Sequence, residues 1–126
     1  MAEQHPRAEQ LLAGAIAFFA SRAAADGSPR TAYLTRVALT CLQIVERELL
    51  MGPDSDRRQH ARLRQLLGIE ASLPELELEL CRRIRSRDID LSDPQLRCHL
   101  DDTAAEQLSI DNPKYSGLHA ALSRRG

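Results

Sequence analysis

Between its proline and glycine breaks the chain repeats apolar residues at three- and four-residue intervals, a period that admits α-helices and little else. Leu11, Leu12, Ala15, Ile16, Phe18, Phe19 and Ala23 share one stripe of a first helix expected from Pro6 to about residue 25, with Asp26, Gly27, Ser28 and Pro29 ending it. A second helix, about 30–51, carries Leu34, Val37, Ala38, Cys41, Leu42, Val45, Leu49 and Leu50. Leu39 and Ile44 widen its apolar face, which makes it the expected central helix. Gly52 and Pro53 read as a C′ glycine followed by proline, so the sequence predicts a stop there. Asp54, Ser55 and Asp56 then offer N-cap oxygens to a short third helix, about 56–67, that turns Ala61, Leu63, Leu66 and Leu67 inward and ends at Gly68.

Ser72, Leu73, Pro74 and Glu75 form a capping box with proline in the first turn, which fixes the start of a fourth helix. Its buried stripe is Leu73, Leu76, Leu80 and Ile84. Acidic residues at its start, and Arg82, Arg83, Arg85 and Arg87 toward its end, suit the helix dipole and pair Glu79 with Arg83. Ser92, Asp93 and Pro94 open a fifth helix in which Leu96, Leu100, Ala104 and Leu108 recur every four residues, to about residue 110. Asn112 precedes proline and leaves the helical region, so 111–126 begins as a turn, with a helical turn regained over 118–122. Leu (20) and Ala (17) dominate the 126 residues, whereas Val, Ile and Thr together supply 12, which disfavours a sheet. The fold class is therefore all-α: one domain, 1–126, as a compact bundle of about five helices with an ordered C-terminal turn.

Bulk properties remove several function classes. The net charge is −1 and both halves are balanced, which argues against a dedicated nucleic-acid or membrane-surface protein. No charged segment followed by an apolar run opens the chain, and Gly14, Ser21 and Arg22 break the first apolar stretch, so it reads as a core helix and not as a leader or anchor. Cys41, Cys81 and Cys98 are odd in number and lie within helices, so they read as reduced, mostly buried thiols of a cytoplasmic protein. Cys98 and the adjacent His99 point in different directions on a helix, and the expected arrangement is a buried thiol beside a surface imidazole.

No CxxC, HExxH or ExxH spacing proposes a metal, and isolated glycines with a single lysine, Lys114, leave no phosphate loop. No nucleophile elbow is present, so the residues give no reason to assign catalysis or a cofactor. Arg57, Arg58, Arg62 and Arg64 form the strongest basic patch; a solvated face explains it, and so does contact with a phosphate-bearing ligand. Asp111, Asn112, Pro113, Lys114, Tyr115, Ser116 and Gly117 combine a turn-forming Asn-Pro with an aromatic and a glycine, as in an ordered turn packed on the bundle or on a partner. At the polar edge of the central helix Glu46, Arg47 and Glu48 follow Arg36 and Thr40, where salt bridges flanking the core are the default reading.

On these residues the chain resembles a small bacterial family known as a domain of unknown function. The likeness rests on Pro6-Arg7-Ala8-Glu9-Gln10-Leu11-Leu12, Ile44-Val45-Glu46-Arg47-Glu48-Leu49, Arg83-Ile84-Arg85, Asp90-Leu91 and the run from Asp111 to Gly117, in order over nearly the whole chain. Members are encoded beside an aminoglycoside-phosphotransferase-like kinase and an acyl-CoA dehydrogenase. The resemblance implies an accessory subunit of the kinase that phosphorylates 4-hydroxyacyl-CoA thioesters, and it carries over no catalytic residue. Thr40 stands where a small residue or Asn is expected in the central helix.

Two expectations follow. In the first the chain is a non-catalytic partner of such a kinase, contacting it through Arg36, Glu46, Arg47, Asp111, Asn112 and Tyr115. In the second it is a stand-alone bundle that holds CoA or another phosphate-bearing ligand through Arg57, Arg58, Arg62 and Arg64. Self-association stays open beside both.

Overall fold

The computed structural model describes residues 7–25 and 28–125, with side chains at all of these except 23–25, 121, 124 and 125. The expected start at Pro6 and the breakers Asp26 and Gly27 lie outside the described residues. Five helices follow one another: α1 (Ala8–Ala25), α2 (Pro29–Leu67), α3 (Leu73–Arg85), α4 (Pro94–Asp111) and α5 (Ser116–Arg125). The described residues contain no strand, and no described helix is long and apolar enough to cross a membrane. The chain divides into two compact units, Met1–Met51 and Gly52–Gly126, and α2 contributes to both.

In the first unit, α1 opens with the Arg7 N–H donating to the Gln10 side chain at 2.8 Å, the reach-back half of a capping box. Leu12, Ala15, Ile16 and Phe19 are half-buried along one face, while Leu11 and Phe18 are exposed. Phe18 meets Phe19 edge-on at 5.5 Å between ring centres and carries the Arg22 guanidinium on its ring at 5.3 Å. α2 starts with Pro29 at its first position and the Thr31 N–H donating to the Ser28 hydroxyl at 3.4 Å.

The expected stop at Gly52-Pro53 is absent: α2 runs through both residues, and the second and third predicted helices are one helix of 39 residues. Proline's fixed φ near −65° is itself helical, so Pro53 removes one hydrogen bond, to the Leu49 carbonyl, without forcing the chain to turn. Two of the side chains expected to cap a new helix are engaged otherwise. Asp54 pairs with Arg57, and the Ser55 hydroxyl donates to Glu106 at 3.2 Å.

The second unit holds the core. Leu63, Leu76 and Leu96 are fully buried, Leu67 and Leu80 nearly so, and Leu66, Ala71, Leu73, Ile84 and Ile89 pack against them. Each buried leucine contributes roughly 1.5–3 kcal/mol. The connections are defined by capping chemistry. Gly68 takes φ 70° and donates its N–H to Arg64 O at 2.8 Å, while the Arg83 guanidinium donates to Leu67 O at 3.0 Å, so α3 satisfies the carbonyl end of α2. The Ser72 hydroxyl accepts from the Glu75 N–H, as its capping box predicts. α3 ends in a Schellman motif, with Asp88 N–H on Arg83 O at 2.9 Å and Arg87 N–H on Ile84 O at 3.2 Å. The left-handed position of that motif is Arg87, at φ 61°, where glycine is usual. Asp93 caps α4 through the Gln95 N–H at 2.8 Å.

Three expectations are corrected here. The cysteines are free but exposed, because Cys81 and Cys98 each sit about 100° around the helix from an inward-facing neighbour, Leu80 and His99. His99 is the buried residue and Cys98 the exposed one, the reverse of the expected pair. The inward face of α4 also differs: Leu100 and Ala104 are exposed, whereas Leu96, His99, Ala105 and Ile110 are buried. A strict four-residue repeat drifts by about 40° per step, so it leaves any one helix face within three steps. Leu96, His99, Thr103, Glu106 and Ile110, spaced by alternating threes and fours, stay on it. The regained helical turn is a full helix, α5, with Leu118 buried and Leu122 exposed.

Candidate functional site

The polar residues on the inward face of α4 meet α2 in a partly buried cluster. Glu106, with its side chain 10% exposed, accepts from Arg62 Nη1 at 2.9 Å and Arg58 Nε at 3.2 Å on Oε1, and from Arg62 Nη2 at 3.1 Å and Ser55 at 3.2 Å on Oε2. Arg62, 22% exposed, also donates Nη2 to the Thr103 hydroxyl at 3.2 Å and Nε to His99 Nδ1 at 3.4 Å. All three guanidinium nitrogens are therefore engaged, and the bidentate fork is the strong form of an arginine–carboxylate pair. Because Arg62 can only donate, His99 Nδ1 accepts and the ring proton sits on Nε2.

The electrostatics of the cluster suit a clamp. Burial pushes the Glu106 carboxyl up, but hydrogen bonds from Arg62, Arg58 and Ser55 and the Arg62 charge outweigh it and hold the group below its ordinary value. Burial lowers the His99 imidazole, and the Arg62 charge lowers it further against the weaker pull of Asp102 and Glu106. The result at neutral pH is an ionised carboxylate on a cation beside a neutral imidazole, with each member of the Arg62 fork occupied. Among the described residues no buried side-chain N or O lacks a hydrogen-bond partner, and no group of three His, Cys, Asp or Glu is placed to hold a metal ion.

The four arginines of the basic patch are divided by the fold. Arg58 and Arg62 converge on Glu106, exposed Arg57 pairs with Asp54, and Arg64 pairs with Glu70. Arg57 and Arg64 nonetheless line an open groove of about 600 Å3 with Asp56, His60, Ala61, Leu73 and Pro74. His60 Nε2 lies 2.8 Å from Ala71 O, which ties the α2–α3 connection to the wall of that groove. On α3, hydrogen bonds from Arg82 and Arg83 pull the half-buried Glu79 carboxyl down to about 2.

The C-terminal turn is ordered by its own backbone. Asn112 caps α4 with its N–H on Leu108 O at 2.8 Å, and its carbonyl accepts the Tyr115 N–H at 3.0 Å across Pro113 and Lys114, a β-turn with proline at its second position. Tyr115 O then accepts from the Leu118 N–H at 3.1 Å, opening α5. The Tyr115 ring lies over Gly117, where a Cβ would come within 2.5 Å of Cε1, and remains 51% exposed. Asp111 is exposed and accepts from Gln107 at 2.9 Å. Arg36 is exposed, and its carbonyl accepts the Thr40 hydroxyl; Glu46 and Arg47 are half-buried. Arg36, Glu46 and Arg47 belong to the first unit, whereas Asp111, Asn112 and Tyr115 belong to the second.

Sequence reasoning found Arg58 and Arg62 but not their partners Ser55, His99, Thr103 and Glu106. The signal was present as polar residues at the inward positions between Leu96 and Ile110, and the four-residue repeat of Leu96, Leu100, Ala104 and Leu108 masked it. A family model whose description is a domain of unknown function matches residues 25–115. No curated protein and no solved structure matches the chain.

Proposed function

The chain belongs to DUF6285, the domain family of unknown function whose model covers most of it, and from that premise we propose that it is a non-catalytic accessory subunit of a phosphotransferase-fold kinase acting on hydroxyacyl-CoA thioesters. The observation that carries this reading is the C-terminal turn, which holds a half-exposed tyrosine on a hydrogen-bonded β-turn. A rigid aromatic costs little entropy to bury and is the residue type that anchors interfaces. The occupied Arg62–Glu106 cluster supports the same reading, since its charges are spent on holding α2 to α4. The resemblance of the chain to subunits encoded beside such kinases supplies the partner. The subunit works in the cytoplasm, with the kinase's ATP and thioester substrates, and raises the fraction of kinase in its closed, competent form.

Co-expression of the chain with the adjacent kinase, followed by light scattering and an ATP-dependent phosphorylation assay on a 4-hydroxyacyl-CoA, tests the proposal. A stable heteromer whose activity needs the chain supports it, and Tyr115→Ala and Arg47→Ala weaken both complex and activity while the helical signal is retained. Separate elution with unchanged kinase activity refutes it. The groove beside Arg57, His60 and Arg64 favours a second reading, in which the chain itself takes the phosphates of CoA. Calorimetry of the isolated chain with CoA then gives salt-dependent heat that Arg57→Ala with Arg64→Ala abolishes, and a flat titration eliminates that reading.

A further inference from the structure

We infer that the groove between α2 and the start of α3 is a docking site for a lysine side chain of a partner protein, with the alkyl stem on Ala61, Leu73 and Pro74 and the ammonium at Asp56 and His60. The groups already engaged within the chain decide the sign of the occupant. Arg57 is paired with Asp54, and Arg64 directs Nε, at 3.0 Å, and Nη2 onto one oxygen of Glu70. With those partners counted, three carboxylates stand against two guanidiniums, and among the described residues Asp56 alone of the three has no ion-pair partner.

His60 agrees with that sign. Its Nε2 lies 2.8 Å from Ala71 O, and a carbonyl only accepts, so Nε2 carries the proton and in the neutral ring Nδ1 is left to accept. The start of α3 adds little for an anion: Pro74 has no N–H, and that of Glu75 is held by the Ser72 hydroxyl. The unpaired charge of the groove is therefore negative, with a second acceptor beside it. Asp56 and His60 are four positions apart on α2, neighbours on one helix face at about 5–6 Å between Cβ atoms. A compact cation with several donors satisfies both, and an ammonium with its three N–H groups is one.

The rest of the lining selects what carries the ammonium. Ala61, Leu73 and Pro74 give an apolar floor without a hydrogen-bonding side chain, which suits the four-carbon stem of lysine, since that stem packs on apolar surface while its head stays in water. The groove is open and covers one side of an occupant. A small molecule is ordinarily enclosed over most of its surface, whereas a side chain projecting from another protein is covered on its far side by that protein. An anionic occupant would have to take Arg57 from Asp54 and Arg64 from Glu70, and would then face Asp56. A lysine is thus opposite in sign to the phosphates of the second reading of this groove, and its docking is independent of the kinase reading.

The test is an amide NMR titration of the full chain with the capped tripeptide Leu-Lys-Leu, with the same peptide carrying norleucine in place of lysine, and with CoA. The lysine peptide should shift the amides of 56–64 and 73–76 saturably, with a Kd on the order of 1 mM. The norleucine peptide should bind about five-fold more weakly, the factor of one solvent-exposed ion pair. Asp56→Asn should bring the lysine peptide to the norleucine value while the helical circular dichroism is retained. Absence of shifts in those amides at about 10 mM lysine peptide, equal affinity of the two peptides, or an Asp56→Asn chain that binds lysine peptide as the parent does, each overturns the inference. Two further results overturn it by assigning the groove elsewhere. One is CoA binding that Arg57→Ala with Arg64→Ala abolishes while the lysine peptide stays silent. The other is a dimer of the chain that Lys114→Met dissociates, which would give the groove to the exposed Lys114 of a second copy.

Discussion

Glu106→Ala cuts the attachment of α4 to α2 at its most connected atom pair. The lost carboxylate takes two charge-assisted bonds from Arg62, one from Arg58 and one from Ser55. Arg58 is 55% exposed, so its share is within the roughly 0–1 kcal/mol of a surface pair. The Arg62 fork is worth about 1.5–3 kcal/mol. Arg62 is left without its carboxylate, but at 22% exposure it regains some water, so the cost stays below the roughly 3–5 kcal/mol of a fully buried orphan charge. The expected loss is about 2–3 kcal/mol, read by urea denaturation followed through helical circular dichroism. Arg62→Met combined with Glu106→Leu should cost at least about 1 kcal/mol less than the two single changes added. The pH dependence has a definite sign. Glu106 is held below its ordinary value of 4.5, so its contribution is complete above the unfolded carboxyl's pKa and is lost as pH falls through the lower folded one. The gap between the parent and Glu106→Gln should therefore close in acid. A loss under about 0.5 kcal/mol, or a gap that ignores pH, would refute the clamp.

His99 is held below its ordinary value of 6.5 by burial first and Arg62 second, so stability is complete above 6.5 and declines as pH falls from there toward the folded pKa. His99→Gln should flatten that part of the urea-midpoint profile. Arg87→Gly removes a left-handed backbone strain of about 1–2 kcal/mol and adds about 0.5–1 kcal/mol of unfolded-chain entropy, for a net gain of about 0.5–1 kcal/mol in urea unfolding. Gly117→Ala pushes the Tyr115 ring off its seat while favouring helix, so stability should stay within about 1 kcal/mol. The affinity of the chain for the kinase, measured by calorimetry, should nevertheless fall.

Local chemistry made most of the fold legible. The Ser72 box, the Asp93-Pro94 start, Gly68 and the Asn112-Pro113 exit each act within four residues, and the structure places a helix boundary at every one. Gly52-Pro53 misled because a proline signal is local: Pro53's helical φ lets α2 continue at the loss of one hydrogen bond, and the Ser55 side chain that would cap a new helix instead donates to Glu106, 51 positions away. The same separation hid the clamp. Arg62 was visible as one cation in a run of four, but nothing near it in sequence distinguishes it from Arg57, which merely pairs one turn back with Asp54. Distinguishing them needed the inward direction of Glu106, and that depended on recognising that a four-residue leucine repeat drifts off its own face.

Hydrogen exchange of the chain with and without the purified kinase tests the accessory-subunit account most directly, because it reads binding and its location in one measurement. The account predicts slowed exchange in the peptides spanning Asp111 to Leu118 and around Arg47, with the core amides of α2 and α3 unchanged. Exchange identical in both samples, or protection confined to 56–74 around the groove, would contradict it.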